Sequence, residues 1–202
     1  MYAEIFINTF LISSLCCFFC DIIFPSTRIE KKSRKLILKD YQNSLTYVIP
    51  NLLISNYYFS NFENLLKDSE RNNFPVGFNL TFWFLTTDLL FYYLHYFFHK
   101  PVLYRYHKIH HSYIYTYGIT SLYAHPLDYI ATNLIPASLP IFIIKPQDYI
   151  IKNLIMFSTS YTVIISHGGY EFLPQNHLVH HTKKAYNYGL LFCDKLLDTK
   201  YR

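Results

Sequence analysis

Histidines recur at the same spacing in two separate segments of this chain. Residues 107–111 read HKIHH and residues 177–181 read HLVHH, so each segment places histidines at positions i, i+3 and i+4. His95 and His99 form a further pair that is one helical turn apart. On a helix, these spacings bring the imidazoles onto one face as close neighbours. Histidine accounts for only 10 of the 202 residues, so chance is a poor explanation for the repetition.

The histidines are more numerous than one metal ion needs. A mononuclear site uses about three or four protein ligands, so the surplus predicts two metal ions. The predicted ligands are the members of the pair and of the two triplets: His95, His99, His107, His110, His111, His177, His180 and His181. His125 and His167 stand alone in the sequence, and a lone histidine more often makes a structural hydrogen bond than binds a metal.

The ligand type narrows the choice of metal and reaction. Imidazole suits Fe, Zn, Cu and Ni, and carboxylates are scarce among the histidine motifs. Zinc fits these ligands but cannot cycle electrons. A pair of histidine-bound iron ions beside an apolar helical bundle is suited to activating O2 against an unreactive C–H bond, in a site shielded from water.

The composition indicates a membrane protein with one domain. Hydrophobic residues make up 51% of the chain and aromatic residues 20%. Residues 5–24 and 74–94 each contain one acid and no base, and each is long enough to cross a hydrocarbon core of about 30 Å. Residues 127–166 are predicted to form a transmembrane helical hairpin, with Pro136, Pro140 and Pro146 at its kinks and bend.

Charge predicts the topology. The linker at 25–45 and the loop at 100–126 are basic, which places both in the cytoplasm by the positive-inside rule. Two loops on one side require an even number of crossings between them, so the weaker apolar segment at 46–60 should also span. We therefore predict an all-α integral membrane helical bundle of about four transmembrane helices, with a cytosolic histidine-rich helical cap formed by residues 95–126 and 167–202.

The remaining features limit the partners. The formal net charge of +5 suits anionic lipid headgroups. The basic residues are split among loops without a recognition motif, so we expect no nucleic-acid partner. The first apolar segment lacks a basic start and a small-residue cleavage site, which favours a retained anchor over a cleaved signal peptide.

The segment from residue 88 to residue 202 resembles the fatty acid hydroxylase and sterol desaturase superfamily of membrane di-iron oxygenases. The resemblance is carried by DLLFYYLHYFFHKPVLYRYHKIHH, YGITSLYAHPLD, SHGGYEF, NHLVHHTKKAYNYG and CDKLLDTKYR. It implies that the eight histidines of the pair and triplets hold two irons, and it adds His167 as a ligand. His125 and Asp128 become candidates for ligands or for hydrogen-bond partners of ligands. The implied division is an N-terminal anchor and transmembrane region at 1–87 and a di-iron domain at 88–202.

Within this superfamily, the AHP around His125 and the closing YR are most similar to sterol C4-methyl oxidases. The resemblance implies a monooxygenase of the endoplasmic reticulum membrane, with its metal site facing the cytosol, that hydroxylates the C4-methyl group of a sterol with O2. Electrons would come from NAD(P)H through a separate reductase and cytochrome b5, since the chain has no GxGxxG fingerprint. The residues predicted to help dock an acidic donor are Lys100, Arg105, Lys108, Lys183 and Lys184.

Two alternatives remain open. The same di-iron chemistry would serve a fatty acyl or sphingolipid hydroxylase or a sterol desaturase, because hydroxylation and desaturation share the abstraction of a hydrogen atom. A non-catalytic membrane protein that keeps the metal-binding fold, or uses zinc structurally, would carry the same histidine motifs. Metal analysis and lipid analysis separate these alternatives.

Overall fold

The computed structural model describes residues 2–67, 72–190 and 192–201, most of which are helical. The α-helices are α1 Tyr2–Ile23, α2 Arg34–Lys67, α3 Val76–Phe98, α4 Pro101–His107, α5 Pro126–Tyr129, α6 Ile135–Ile144, α7 Asp148–Ser160, α8 Asn176–Lys183 and α9 Phe192–Leu196. Two π-helical segments, Ile130–Leu134 and Tyr161–Ser166, extend α5 and α7. Among the described residues, the only β-type pairing is an isolated bridge between Arg28 and Tyr170, which confirms the all-α prediction.

Two helical stretches of the described chain are long and apolar enough to cross a membrane. They are Tyr2–Ile23 and Pro126–Ile144, which correspond to the predicted span at 5–24 and to the first half of the predicted hairpin. The predicted span at 46–60 lies within α2, and all but the first two residues of the predicted span at 74–94 lie within α3; neither helix meets the same requirement of length and hydropathy. The number of four spans and the cytosolic location of the cap therefore stay predictions.

Residues 126–166 fold as two helical arms joined by a short turn. The first arm ends where Lys145 adopts a left-handed conformation with φ of 43°, and Pro146 follows it. The bend thus falls at 145–147, whereas Pro136 and Pro140 lie within the helical arm. Asn72 holds the turn, because its backbone N–H donates to Lys145 O at 3.1 Å and its amide to Ile144 O at 2.9 Å.

Pro140 of α6 leaves a backbone carbonyl free, and α3 satisfies it. Proline has no N–H, so Pro140 cannot donate to the carbonyl of Pro136 one turn earlier. The Thr87 hydroxyl of α3 donates to Pro136 O at 3.1 Å, and the Trp83 indole donates to Ala137 O at 3.1 Å. Unsatisfied buried carbonyls are costly, so these two bonds fix how α3 packs against α6.

The N-terminal helices complete the core. α1 packs against α2 and α7, and Phe6, Phe10 and Phe59 are buried there with Leu134 and Ile155. The two π-helical segments adjoin the histidine region, because one begins two residues after Asp128 and the other ends at the residue before His167. Single π turns inside helices occur frequently at functional sites.

Candidate metal centre

Nine of the ten histidines meet in two adjacent groups. Within each group, one ring nitrogen from every member lies within 4.8 Å of the others. The five-histidine group contains His95, His99, His107, His111 and His180, and the four-histidine group contains His110, His167, His177 and His181. All nine predicted ligands are therefore brought together in this part of the structure, from α3, α4, α8 and the segments between them.

The five-histidine group is a chain of facing Nε2 atoms. His107 Nε2 lies 3.0 Å from the Nε2 atoms of both His95 and His111. His180 Nε2 continues the series, at 3.1 Å from His111 Nε2 and 3.0 Å from His99 Nε2. Five ring nitrogens thus lie around a common centre.

The four-histidine group repeats the pattern with slightly longer separations. His110 Nε2 lies 3.4 Å from His167 Nε2 and 3.5 Å from His177 Nε2. His177 Nε2 lies 3.2 Å from His181 Nε2. The two groups are neighbours, since the ring centroids of His111 and His181 are 4.7 Å apart.

The position of a histidine within its motif corresponds to the group that it joins. The i and i+4 members of each motif enter the same group: His95 with His99, His107 with His111, and His177 with His181. The i+3 members cross over, because His110 joins the four-histidine group and His180 joins the five-histidine group. Each HxxHH triplet therefore bridges both groups rather than serving one.

The two triplets stand on different local structures. The second lies on one helix, α8, as its spacing predicts. The first does not: α4 ends at His107, and residues His110–Ser112 form a 3-10 turn after a two-residue break. A helical stripe was the wrong expectation for this triplet, although its i+3 member His110 joins the other group just as His180 does on the continuous helix α8.

Hydrogen bonds at Nδ1 determine which ring nitrogen is free. A carbonyl oxygen can only accept, so a ring nitrogen bound to one carries the proton and leaves Nε2 as a lone pair. Four histidines donate Nδ1–H to backbone carbonyls: His95 to Tyr188 O at 2.8 Å, His110 to Tyr123 O at 3.2 Å, His167 to Thr162 O at 2.9 Å and His180 to Tyr186 O at 2.6 Å. The Nε2 atoms of these four histidines therefore carry no proton, and each has a lone pair that can bind a metal ion.

Burial keeps these imidazoles neutral. Loss of solvent lowers the pKa of His110 to about 4. The same cause, with the neighbouring His110, lowers the pKa of His167 to about 3. The pKa of His95 falls well below its ordinary value, first through burial and then through His180. Neutral imidazole is the form that binds metals.

The spacing of the nitrogens fits a metal ion. Metal–imidazole bonds of about 2.1 Å place adjacent nitrogens about 3.0 Å apart at right angles and about 3.4 Å apart at tetrahedral angles. The five-histidine group has separations of 3.0 to 3.1 Å, and the four-histidine group has separations of 3.2 to 3.5 Å. Facing lone pairs repel unless a cation lies between them, so the residues present suit one cation in each group.

Asp128 and His125 lie outside both groups of facing nitrogens. Asp128 accepts from His107 Nδ1 at 2.9 Å and also from the Thr132 hydroxyl at 3.3 Å. It therefore orients a predicted ligand, one of the two roles expected for it. His125 is half-buried, and its Nδ1 accepts from Leu127 N at 3.2 Å, so it caps the start of α5.

A set of polar contacts that the histidine spacing does not reveal supports His95. Asp88 of α3 accepts from the backbone N–H groups of Leu190, Phe192 and Cys193. Asp194 accepts from Tyr188 N at 2.8 Å, which fixes the residue whose carbonyl binds His95. The sequence shows that both acids lie near the histidine motifs. Their partners, however, are backbone N–H groups, about a hundred residues away in the case of Asp88. Every residue type except proline supplies such a group, so no sequence pattern identifies these partners.

A mainly apolar cavity adjoins both histidine groups. The cavity lies between α3, α6, α7 and the two π-helical segments and is partly open to the outside. Phe84, Phe91 and Phe157 contribute to its apolar walls. The histidines that line it come from both groups: His95, His107, His110, His167 and His177. A molecule in this cavity would contact the candidate metal centre directly.

Comparison with known proteins identifies relatives whose names refer to fatty acids or sterols. The chain is 35% identical over 119 residues to fatty acid hydroxylase domain-containing protein 2 of Macaca fascicularis, covering 55% of this chain and 35% of that protein. It is 32% identical over 124 residues to a Delta(7)-sterol 5(6)-desaturase of Gibberella zeae, covering 57% and 35%. It is 30% identical over 97 residues to C-4 methylsterol oxidase of Schizosaccharomyces pombe, covering 46% and 32%.

The match is confined to part of each relative. The chain spans about a third of the length of these three proteins. No solved structure matches it. The family model for fatty acid hydroxylases matches residues 80–199, which is more than half of the sequence, and this chain therefore belongs to the fatty acid hydroxylase family.

Proposed function

We propose that this chain is a membrane-bound di-iron monooxygenase that uses O2 to hydroxylate a lipid C–H bond, and that the lipid is a sterol with a C4-methyl group. One observation carries the proposal: nine Nε2 atoms, from eight buried histidines and the half-buried His99, face one another in two adjacent groups beside an apolar cavity. The two apolar helices and the family membership support a membrane oxidoreductase. The division at residue 88, the endoplasmic reticulum and a cytosolic metal site belong to the same proposal.

The donor set favours iron. Structural zinc sites are almost always four-coordinate, whereas the five-histidine group offers five nitrogens. Iron bound there would supply the redox chemistry that activates O2. The protein's part is to hold the imidazoles neutral by burial and to orient them by the Nδ1 hydrogen bonds to Tyr188 O and Tyr186 O. Zinc bound to the same residues would be the mark of a non-catalytic protein.

The cavity favours an apolar substrate. Its walls include Trp83, Phe91 and Phe157, and its polar groups include Thr132 and Asn133. Apolar walls exclude water from the reacting carbon, which protects a strong oxidant from side reactions. One of the two candidate membrane helices, Pro126–Ile144, contributes directly to this wall. A lipid could therefore enter from the bilayer without passing through water.

The sterol assignment rests on similarity, and two neighbouring chemistries compete with it. The methylsterol oxidase relative favours C4-methyl hydroxylation, and the sterol desaturase relative favours desaturation. The family description favours a fatty acyl substrate. Hydroxylation adds one oxygen atom of O2 to the lipid, whereas desaturation adds none, so mass analysis of the product from ¹⁸O2 distinguishes them.

Hydroxylation needs electrons that this chain does not supply by itself, and we propose a cytochrome b5-type donor reduced from NAD(P)H. The five basic residues predicted to dock it are exposed: Lys100, Arg105, Lys108, Lys183 and Lys184. Lys184 Nζ donates to the Tyr104 hydroxyl at 3.1 Å, and the Tyr104 ring lies 5.8 Å from the ring of His99. Tyr104 thus lies between a surface cation and the five-histidine group.

Metal analysis and O2 consumption test the proposal together. The full chain in lipid nanodiscs should contain two irons and should consume O2 only with a reductant and a lipid substrate. Replacing His110 with Ala should remove one iron and abolish turnover, whereas His125→Ala, outside both groups, should retain both irons. Zinc in place of iron, with no O2 consumption under reducing conditions, would establish the non-catalytic alternative.

A further inference from the structure

A buried guanidinium joins the N-terminal region to the histidine region. Arg28 lies between α1 and α2, outside the family-matched residues 80–199, and is only 2% exposed. Its Nη1 donates to Asp21 Oδ1 at 2.5 Å and to Gly168 O at 3.0 Å. Its Nη2 donates to Thr116 O at 2.6 Å. One side chain thus binds a carboxylate and two carbonyls from distant segments.

The backbone around Gly169 is shaped to admit this side chain. Ile29 N donates to Gly169 O at 3.1 Å, and Glu171 N donates to Thr27 O at 3.0 Å, so the two segments run side by side. Gly169 has a φ of 68°, which favours glycine. A Cβ at this position would lie 2.9 Å from both Arg28 Nη2 and Thr116 O. The close approach therefore requires glycine.

The two carbonyls belong to segments that carry histidines of the four-histidine group. Gly168 directly follows His167 in the sequence. The Nδ1–H of His167 donates to Thr162 O at 2.9 Å. Thr116 lies on the segment that follows His110. A cation that binds both carbonyls fixes the distance between these segments, and so the distance between His110 and His167.

We propose that Arg28 is a positioning residue for the four-histidine group, acting through the backbone at Gly168 and Thr116. The inference rests on the proposed function in one respect, that this group binds a metal ion. It extends the metal centre into a part of the chain that lies outside the family match. Arg28 itself contacts neither a histidine of the group nor the cavity lining among the contacts described.

Arginine suits this position better than lysine. The planar guanidinium offers five donors in a fixed fork, whereas an ammonium is a single point of charge. The charge of Arg28 is balanced by Asp21, which also accepts from the Tyr41 hydroxyl at 2.8 Å. The guanidinium carbon lies 4.2 Å from the centroid of the Tyr117 ring, a cation–π contact.

The test separates two effects of Arg28: its hydrogen bonds to the carbonyls of Gly168 and Thr116, referred to below as the clamp, and its buried ion pair with Asp21. Replacing Arg28 with Met alone would leave the Asp21 carboxylate buried without its partner, which by itself destabilises a protein. The double variant D21N/R28M removes both charges, so it loses the clamp without an unpaired carboxylate. The control is Asp21→Asn, which keeps the guanidinium and its bonds to Gly168 and Thr116 but leaves this cation without a carboxylate, so it carries the cost of a broken ion pair without the loss of the carbonyl contacts.

Cobalt(II) serves as the probe, because it binds imidazole and its visible absorption reports the ligand geometry. The full chain in nanodiscs is titrated with cobalt(II), and the helix content is followed by circular dichroism. We expect D21N/R28M to bind one of two cobalt ions about 10- to 100-fold more weakly, the usual effect of losing an orienting contact. The other ion should bind as in the wild type, and Asp21→Asn should bind both normally.

Each outcome bears on one claim. A wild-type chain that binds no pair of cobalt ions would refute the proposed metal centre, before Arg28 is considered. With two ions in the wild type, unchanged binding in D21N/R28M would overturn the positioning role. An equal decrease in the affinity for both cobalt ions, with or without loss of helix content, would also overturn the positioning role, because the effect would not be selective for the four-histidine group. The variant His167→Ala provides the reference spectrum for a damaged four-histidine group.

Discussion

His107 is held at both ends of its ring. Its Nε2 faces His95 and His111, while its Nδ1 lies 2.9 Å from Asp128 Oδ2. A carboxylate on the far nitrogen of a metal-binding histidine fixes the ring and raises its basicity. The sequence placed Asp128 near the motifs, and its position on α5 explains how it reaches a histidine 21 residues earlier.

Removing this charge should weaken one metal site selectively. We expect Asp128→Asn to weaken binding of one metal ion about 10- to 100-fold, because Asn can still accept a hydrogen bond but supplies no negative charge. Metal titration of the full chain measures the effect. Glu171→Gln, which neutralises an exposed carboxylate, is the control. Unchanged binding in Asp128→Asn would show that the contact does not support the metal.

Acid should destabilise the metal-free protein. The pKa of His110 is lowered to about 4 and that of His167 to about 3 by burial, against an ordinary value of 6.5. Between these values the unfolded chain binds more protons than the folded chain, so the free energy of unfolding falls as the pH drops below 6.5. Each such histidine contributes about 1.4 kcal/mol per pH unit over this range.

Thermal unfolding in detergent tests this dependence. The Tm of the metal-free protein should decrease from pH 6.5 to pH 5 and should change little from pH 7.5 to pH 8.5, as far as these two histidines determine it. Bound metal should shift the decrease in Tm to lower pH, because protons must first displace the metal from Nε2. A metal-free Tm that stays constant or rises on acidification would contradict the neutral, buried state of His110 and His167.

The histidine spacing predicted eight members of the centre, and the family resemblance added His167, but neither predicted their division into two groups. His110 and His111 are adjacent in sequence and enter different groups. The division follows the same rule on the continuous helix α8 and on the broken segment after α4, so it depends on how the motifs face one another in the tertiary packing. The acceptors at Nδ1, such as Tyr188 O and Thr162 O, are backbone atoms. Any residue type supplies a backbone carbonyl, so no sequence pattern marks them.

The helical hairpin was predicted as an element, and its bend lies at the C-terminal end of the proline-containing segment predicted for the kinks and bend. Prolines suggested a bend between residues 136 and 146, whereas only Pro146 lies at the turn. Pro140 is accommodated inside the arm because the Thr87 hydroxyl of α3 satisfies the Pro136 carbonyl that Pro140 leaves free. This compensation requires Thr87 at the correct height on another helix, which local sequence cannot show.

The hairpin also forms a wall of the cavity, so one substitution can block it. Ala137 lies on α6 and lines the cavity. We expect Ala137→Phe to lower kcat/KM for the lipid at least about tenfold, a loss of about 1.4 kcal/mol in transition-state stabilisation, because the added ring occupies the substrate volume. The metal content should remain at the wild-type value. Turnover and metal analysis of the same preparation provide both readings.

A control on the same helix separates blocking from general damage. Leu139 is exposed on α6 and does not line the cavity, so Leu139→Phe should leave turnover unchanged. If Ala137→Phe retained full activity toward the lipid, the cavity would not be the substrate site. Loss of metal in Ala137→Phe would instead indicate that the helix had moved.

The whole molecule has two kinds of surface. Large apolar side chains are exposed along α1 and α6, including Ile12 at 62% and Ile143 at 51%, as expected for helices that face lipid. Exposed cations follow the ends of α4 and α8, near the five-histidine group. The sequence predicted both the apolar segments and the basic residues. Their arrangement around one centre depends on the fold, which brings Lys184 to Tyr104 across 80 residues.

Charge reversal at this basic surface should slow electron delivery. Lys100 and Lys184 are exposed, and each contacts a tyrosine ring, Tyr96 and Tyr104 respectively. With an acidic protein donor at low salt, the variant K100E/K184E should turn over about tenfold more slowly, because reversed charges reduce the association rate. The difference should shrink at high salt, where the Debye length falls to about 3 Å.

Two comparisons make this result specific to docking. A small-molecule reductant that does not dock should support equal turnover by the wild type and K100E/K184E. Lys145→Glu reverses a charge at the hairpin turn, at the end of the 19-residue stretch Pro126–Ile144, which is about 28 Å long at 1.5 Å per residue. It should behave as the wild type with either donor. Equal kinetics of K100E/K184E and the wild type with the protein donor at low salt would place electron entry elsewhere on the molecule.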